Sequence, residues 1–529
     1  MALRNCPPGH PSRSSCLHNL ATSLRKRFEQ SDVLSDLDEA IDLNRAALAL
    51  CPPGHSDRSP RLNNLAVSLV NRFKYGGVLS DLDEAIELFQ AVLALLPHGH
   101  SDRFWPLNSL AIALQYRFMQ RKVLSDLDEA IDLHQAALTL RPHGHSDRFL
   151  PLDSLAVALQ YRFKHRSVLS DLDEAIDLLQ AALDLGTPSD SFRSLSLNNL
   201  ATSLQERFRQ RGVRSDLDGS IDLHRAALDL CPPDHSDRCL SLSNLAMSLR
   251  DRFKQRGVLS DLDEAIDLLR AALALSSYTL GHPSRSLLLH NLATSLQERF
   301  KQRSVRSDLD EAIDLHRLAL ALHPPGHSDQ SQFLNNLAIS LQERFKQRGV
   351  WSDLDESIVS KRDSSKGVSL SDLDEAIDLH RAALALCPPG HSDRSLSLSN
   401  LATSLQERFE QRGVLSDMDE AIDLNRAALA LCPPGHSVKS QSLNNLAMSL
   451  RARFEQRGVL SDLDEAIDLH RATPALHQPG HSQRSLSLNN LAIFLIHNSP
   501  KHLILFHLWI FKPPSYGPPQ LNSKTIVQY

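Results

Sequence analysis

Four recurring residue clusters in this sequence carry side chains that do chemistry elsewhere. Cys51 and His55 stand four apart in the phrase C-P-P-G-H, with relatives at Cys231/His235, Cys387/His391 and Cys432/His436. Thiolate and imidazole both ligate metals, but a structural zinc site needs four ligands. Each copy brings two, and other units place Leu96, Arg141, Gly186, His323 or His477 at the cysteine position. The phrase therefore reads as a turn, and no metal is expected. His55, Ser56 and Asp57 are the residue types of a hydrolytic triad. Consecutive loop residues cannot set nucleophile, base and orienting acid in line, and an enzyme has no use for a copy in most units. Asp36, Asp38 and Glu39 supply paired carboxylates of the kind used for acid–base work. They recur at a helix start, where negative charge suits the helix dipole. Basic runs such as Arg72 and Lys74, or Arg299, Lys301 and Arg303, precede these acidic stretches directly, so ion pairs between helices are expected rather than an anionic-ligand site. No glycine-rich phosphate loop occurs. The sequence thus predicts no catalytic residue, no cofactor, no small-molecule substrate and no enzyme activity.

These clusters recur because the chain does. S-D-L-D-E-A-I-D and close variants begin at residues 35, 80, 125, 170, 215, 260, 307, 352, 371, 416 and 461. Nine of the ten gaps are 45 or 47 residues, and the other is 19. Internal repetition at such a period is the mark of a repeat array.

Each unit holds two helical patterns. In the first, helix A, Leu62, Leu65, Ala66, Leu69 and Phe73 fall on one helical stripe. The phenylalanine recurs at 28, 73, 118, 163, 208, 253, 300, 345, 409 and 454, ten of the 18 in the chain, so it reads as a core knob. Basic residues such as Arg252, Lys254 and Arg256 end helix A, and Gly257 provides a left-handed stop. Helix B is expected to start at Ser35 as N-cap, with Asp38 three residues on in a capping-box-like arrangement. Leu37, Ala40, Ile41, Leu43, Ala47, Leu48 and Leu50 form its broad apolar arc, and Ala46-Ala47 allows close helix approach. Prolines close the unit, and Ser56 or Asp57 can cap the next helix A. Neither helix hides its apolar side alone. The expected fold is all-α: a right-handed α-solenoid of about ten helix-turn-helix units.

Composition agrees. The 529 residues are too many for one core, and 42% are hydrophobic but only 5% aromatic, so the core is built on Leu and Ala. A net charge of −6 from 57 basic and 63 acidic residues argues against a nucleic-acid binder. Seven cysteines, five at one repeat register that tolerates replacement, do not form a disulfide framework, which points to a reducing, cytoplasmic setting. No signal peptide is evident. The longest apolar stretch, Leu503 to Phe511, is too short to cross a membrane.

L-N-N-L-A with a ring seven to nine positions on, then D-E-A-I-D-L-x-x-A-A-L-A-L and a proline, resembles the tetratricopeptide (TPR) helix pair over residues 6 to 495. The unit is longer than the usual 34 residues. It is similar to the extended repeats of kinesin light chains, and to fungal proteins described as aromatic di-alanine and TPR, many of which carry a C-terminal caspase-like CHAT domain. The resemblance implies a scaffold that holds a protein or an extended peptide on a concave surface lined by helix A. In the kinesin-light-chain type, an asparagine before the L-A pair bonds the peptide backbone. The matching residues are Asn64, Asn199, Asn244, Asn291, Asn336, Asn400 and Asn445, with Asn19 and Asn490 at the ends, while Ser109 and Ser154 replace it in two units. An amide both donates and accepts. The alternative is that each asparagine bonds the neighbouring repeat. A second reading of the whole chain is the sensor arm of a CHAT-type protease whose catalytic domain is absent here.

The pattern breaks at three places. Residues 276–286 contain two extra residues. The 19-residue gap predicts a short helix B from Asp353, a polar linker over residues 360–367, and a second helix B without a helix A between. Beyond Phe494 the repeat is lost. The expected organisation is a repeat array over 6–351, a broken repeat over 352–370, the array continued over 371–495, and an aberrant tail over 496–529. Such ends are expected of a truncated gene product or of a fragment of a longer repeat protein.

Overall fold

A computed structural model describes residues 7, 10, 12–31, 33–186, 190–232, 236–276, 284–322, 330–354, 362–389, 391, 393–431 and 437–472. The tail expected over 496–529, and Asn490, lie outside the described residues. Among those described there are α-helices and short 3-10 turns but no strand. The chain forms two compact units, Met1–Tyr278 and Thr279–Tyr529.

The first unit contains six helix pairs, A then B: α1 (Arg13–Ser31) with α2 (Leu34–Ala49), α3 (Arg58–Gly76) with α4 (Leu79–Leu95), α5 (Phe104–Arg121) with α6 (Leu124–Thr139), α7 (Phe149–Arg166) with α8 (Leu169–Asp184), α9 (Asp190–Arg211) with α10 (Arg214–Asp229), and α11 (Ser236–Arg256) with α12 (Leu259–Ser276). Within the unit, α2, α4, α6, α8 and α10 also pack on the next A helix. Phe28, Phe73 and Phe118 are buried between helices, as the recurring ring requires. Around Phe118 sit Leu127, Ile131, Leu155 and Leu159. Of each double alanine only the second is buried: Ala47 is sealed and Ala46 faces out.

The second unit repeats the scheme with α13 (Ser284–Arg303) and α14 (Arg306–Ala321), α15 (Gln330–Leu354) and α16 (Arg362–Ala385), α17 (Arg394–Arg412) and α18 (Leu415–Ala430), and α19 (Ser437–Arg457) and α20 (Leu460–Ala472). Phe300, Phe345 and Phe409 are buried at the recurring ring position. Each unit is thus an all-α stack of TPR-like helix pairs.

Helix A stops as its sequence dictates. Gly257 takes φ +69°, and its N–H bonds the Phe253 carbonyl at 2.7 Å. Lys122, Ser167 and Ser304 make the same turn with φ of 53° to 57°. Helix starts differ from expectation. Helix B begins two residues earlier: Val33 rather than Ser35 is the N-cap, extended and without a side-chain cap, and Leu34 opens the helix. Valine, β-branched, suits that backbone. Ser35 and Asp36 therefore sit inside the first turn, and Asp36 is free to turn toward helix A. At helix A, Asp57 holds the N-cap position but makes no side-chain cap bond, and the histidine of H-S-D closes the turn that precedes the helix. The Nδ1 atoms of His55, His100 and His145 accept from the N–H of Asp57, Asp102 and Asp147 at 3.1 to 3.2 Å.

The short gap resolves differently from its expectation. Residues 330–354 are one helix and α16 starts at Arg362, so no separate B helix begins at Asp353. The apolar arc needed for a B helix follows only the second S-D-L-D phrase. Residues 355–361 lie outside the described set.

Candidate functional site: the helix A face and its seams

Three sets of side chains line the seams between helices. The first is an arginine–aspartate clamp. Arg162, late in α7, grips Asp171, early in α8, through two bonds of 2.8 and 2.9 Å. Asp171 is 4% exposed. The same fork joins Arg27 to Asp36, Arg72 to Asp81, Arg207 to Asp216, Arg252 to Asp261, Arg299 to Asp308, Arg408 to Asp417 and Arg453 to Asp462. A planar guanidinium matches a carboxylate edge to edge. The partnership raises the Arg162 pKa, with the Asp171 hydrogen bond as its main cause. A second arm reaches back one repeat: Arg72 to Asp38 at 3.0 Å, and Arg211 to Asp173 at 2.7 Å. The basic and acidic runs thus pair with each other, as expected.

The second set was not singled out in the sequence. At one position of helix B, inside the apolar arc, stand Asn44, His134, His224, His316, His380, Asn425 and His470, all buried. Phe89, Leu179 and Leu269 occupy the same place in other repeats and are equally buried. A histidine recurring where leucine also fits was the available signal. His224 Nδ1 lies 2.9 Å from Asn198 Oδ1, and Asn198 Nδ2 donates to Ser241 Oγ at 2.7 Å. His380, Asn335 and Ser397 repeat the arrangement at 3.0 and 2.9 Å. Burial holds the His134 and His224 pKa values down at about 3, and those of His316 and His380 at about 4.

The third set is the asparagine column on helix A. Asn64 Nδ2 faces the His18 ring at 3.2 Å. Asn199 Nδ2 donates to the Asp153 carboxylate at 3.3 Å. Asn336 Nδ2 faces His290 Nε2 at 3.1 Å. In each case the partner is one residue earlier in the motif of the preceding A helix, so these amides tie neighbouring repeats together. The Oδ1 atoms of the same three residues have no hydrogen-bond partner among the described residues. Asn244, Asn400 and Asn445 are partly exposed on their A helices, and Asn291 is buried. Asp153, which stands where other repeats have asparagine, has its pKa raised by burial, against hydrogen bonds from Ser196 and Asn199.

Successive A helices lie side by side, and their outer side chains meet in register. Lys74 sits over the Tyr116 ring at 5.3 Å. At the same two positions further on, Arg209 pairs with Asp251 at 2.8 Å, Lys301 with Glu343 at 4.0 Å and Lys346 with Glu407 at 3.0 Å.

Among the described residues no group of three or more histidine, cysteine or acidic side chains could hold a metal ion. Cys51, Cys231, Cys239 and Cys387 are thiols outside any disulfide, the first, second and fourth of them buried. Cys16, outside the recurring cysteine register, is disulfide-bonded. No helix among the described residues is long and apolar enough to cross a membrane.

Fold and seams together define the class: an all-helical tandem-repeat scaffold of TPR-like pairs. No family model matches the chain, and no curated protein matches it. Solved structures do. A Podosopora anserina putative kinesin light chain with nearly identical TPR-like repeats is similar at 20% identity, covering 46% of this chain and 98% of that one, with a TM-score of 0.32. YrrB, a TPR protein with an unusual peptide-binding site, is similar at 18% identity over 41% of this chain and 89% of that one, with a TM-score of 0.27. Human IFIT1, a dimer with m7Gppp-AAAA, is similar at 15% identity over 88% and 86%, with a TM-score of 0.45.

Proposed function

We propose that this chain is a scaffold that holds another protein through an extended segment laid across the A helices of a unit. The observation that carries the reading is the register of the A face. Side chains of one A helix meet those of the next at fixed positions, as in Lys74 with Tyr116 and Arg209 with Asp251, so the asparagine column comes into line along each unit. Asn64, Asn199 and Asn336 direct Nδ2 to the preceding repeat, which leaves Oδ1 as an acceptor for a peptide N–H. Asn244, Asn291, Asn400 and Asn445 belong to the same column. Main-chain recognition of this kind binds an extended segment with little regard to its side chains.

The test is a peptide array probed with the full chain and with variants that replace the column in each unit, Asn64→Ala/Asn199→Ala/Asn244→Ala in the first and Asn291→Ala/Asn336→Ala/Asn400→Ala/Asn445→Ala in the second. Binding peptides are then remade with N-methylated backbone. Loss of binding on alanine substitution and on N-methylation is expected. Undiminished binding after both changes rules the asparagine column out.

A further inference from the structure

The buried helix B histidines have no part in holding a ligand, and their surroundings permit one protonation state. Gln115 Nε2 lies 3.1 Å from His134 Nε2 and also donates to the Ser154 carbonyl at 2.9 Å. The amide nitrogen must therefore face the ring, and His134 Nε2 must accept. His134 Nδ1 then carries the proton and donates to Asn108 Oδ1 at 3.0 Å. Adding a proton at Nε2 sets donor against donor. Turning the Gln115 amide over relieves that clash but sets its oxygen against the Ser154 carbonyl.

His224 and His380 reach the same end by another route. Asn198 and Asn335 donate an amide nitrogen to Ser241 and Ser397 and turn their amide oxygen toward the histidine. Nε2 is sealed with no partner among the described residues, so the single proton of the neutral ring belongs on Nδ1, which donates to that oxygen. A proton there puts an imidazolium N–H into a closed space without an acceptor, which is expensive in free energy. Each relay also joins three helices: α9, α10 and α11 in the first unit, and α15, α16 and α17 in the second.

No neighbouring charge offsets this. Burial alone depresses His134, His224, His316 and His380, and His470 is pushed further down by Arg451 of α19. The titratable side chain beside His316 is His290 of α13, with ring centroids 5.2 Å apart. Asp153 of α7 bonds Ser196 and Asn199.

We infer that these seams make each unit an acid-responsive stack, closed near neutral pH and loosened as protons enter the A–B interfaces below about pH 6. A folded pKa below the unfolded 6.5 means that the unfolded chain binds more protons, so stability falls as pH drops from 6.5 toward the folded value. A histidine moving from 6.5 to about 3 raises its unfolding constant roughly 25-fold between pH 7 and pH 5. Two carboxylates act later. Asp36 and Asp173 have lowered pKa values, so their contribution disappears only below the ordinary carboxylate range. Asp153 and Glu407, with raised values, work in the opposite sense and favour the folded chain in acid.

The chain supplies its own controls. Leu179 and Leu269 show that leucine fits the position, and Asn44 and Asn425 show that asparagine does. Urea unfolding of the full chain is followed by circular dichroism at about pH 7 and about pH 5, for wild type and for His224→Leu/His380→Leu. The wild type should lose stability between the two conditions, and the variant, with one histidine removed from each unit, should lose roughly 25-fold less in the unfolding constant of each unit. Should the leucine variant fail to fold, His224→Asn/His380→Asn gives the same comparison. The imidazole signals of His224 and His380 in folded wild type, followed by NMR, should not shift over this range. An undiminished acid loss in both variants, or a native His224 or His380 that titrates near 6.5, overturns the inference.

Discussion

Two S-D-L-D-E phrases, 19 residues apart, compete for one arginine. Arg344 stands nine residues before Asp353, the spacing used by the other clamps, and 28 residues before Asp372. In the structure it grips Asp372, with Nη2 at 2.7 Å and Nε at 3.0 Å. The Asp372 carboxylate is 5% exposed and Arg344 is 18% exposed. Removing one partner of a buried pair leaves an uncompensated charge and costs about 3–5 kcal/mol. Arg344 keeps a weaker contact to Asp310 at 3.6 Å, so Asp372→Ala belongs at the low end, about 3 kcal/mol. That is roughly a hundredfold in the local unfolding constant. Asp417→Ala, at a clamp of ordinary spacing, should cost about 0.5 kcal/mol more. Asp417 lies in the first turn of α18, where the helix dipole favours it, whereas Asp372 sits mid-helix in α16. Asp353→Ala, in the last turn of α15, should stay within about 0.5 kcal/mol of wild type. Urea melts with amide exchange resolved over α15 and α16 provide the measurement. A large loss from Asp353→Ala with a neutral Asp372→Ala would refute the pairing and the helix boundaries built on it.

Other perturbations test the same physics. Phe118→Ala, which empties a fully buried ring site, should cost about 3–5 kcal/mol in thermal or urea unfolding. Ser304→Gly should raise stability by roughly 0.5–1 kcal/mol, because Ser304 holds φ +53° at a helix stop that glycine fills elsewhere. Glu84→Gln breaks an inter-repeat pair with Arg45 in which both side chains are more than a third exposed. A change under about 0.5 kcal/mol in the melt is expected. Asp153→Asn should stabilise the chain at neutral pH, since native Asp153 must hold its charge in a buried site. Its folded pKa is raised, so that site favours folding in acid and loses the advantage as pH climbs; the difference between wild type and variant should close below about pH 4 in pH-dependent melts.

Much was legible from local pattern alone. The 45-residue period, the two helices per unit, the phenylalanine knob and the glycine stop all follow from spacing and backbone preference within one helix or turn. The mutual pairing of basic and acidic runs followed from their adjacency. Tertiary structure decided what depends on partners on another helix, 9 to 46 residues away. It chose Asp372 over Asp353, because only the second phrase leads into an arc that can be buried. It turned Asn64, Asn199 and Asn336 back onto the preceding repeat, where the sequence left both ligand and neighbour open. It moved the helix B start to Leu34 and so released Asp36 to the arginine clamp. And it sealed His134, His224 and His380 inside the seams. A helical period tells which residues share a face, but not what that face meets; that is settled only when the next repeat is laid against it.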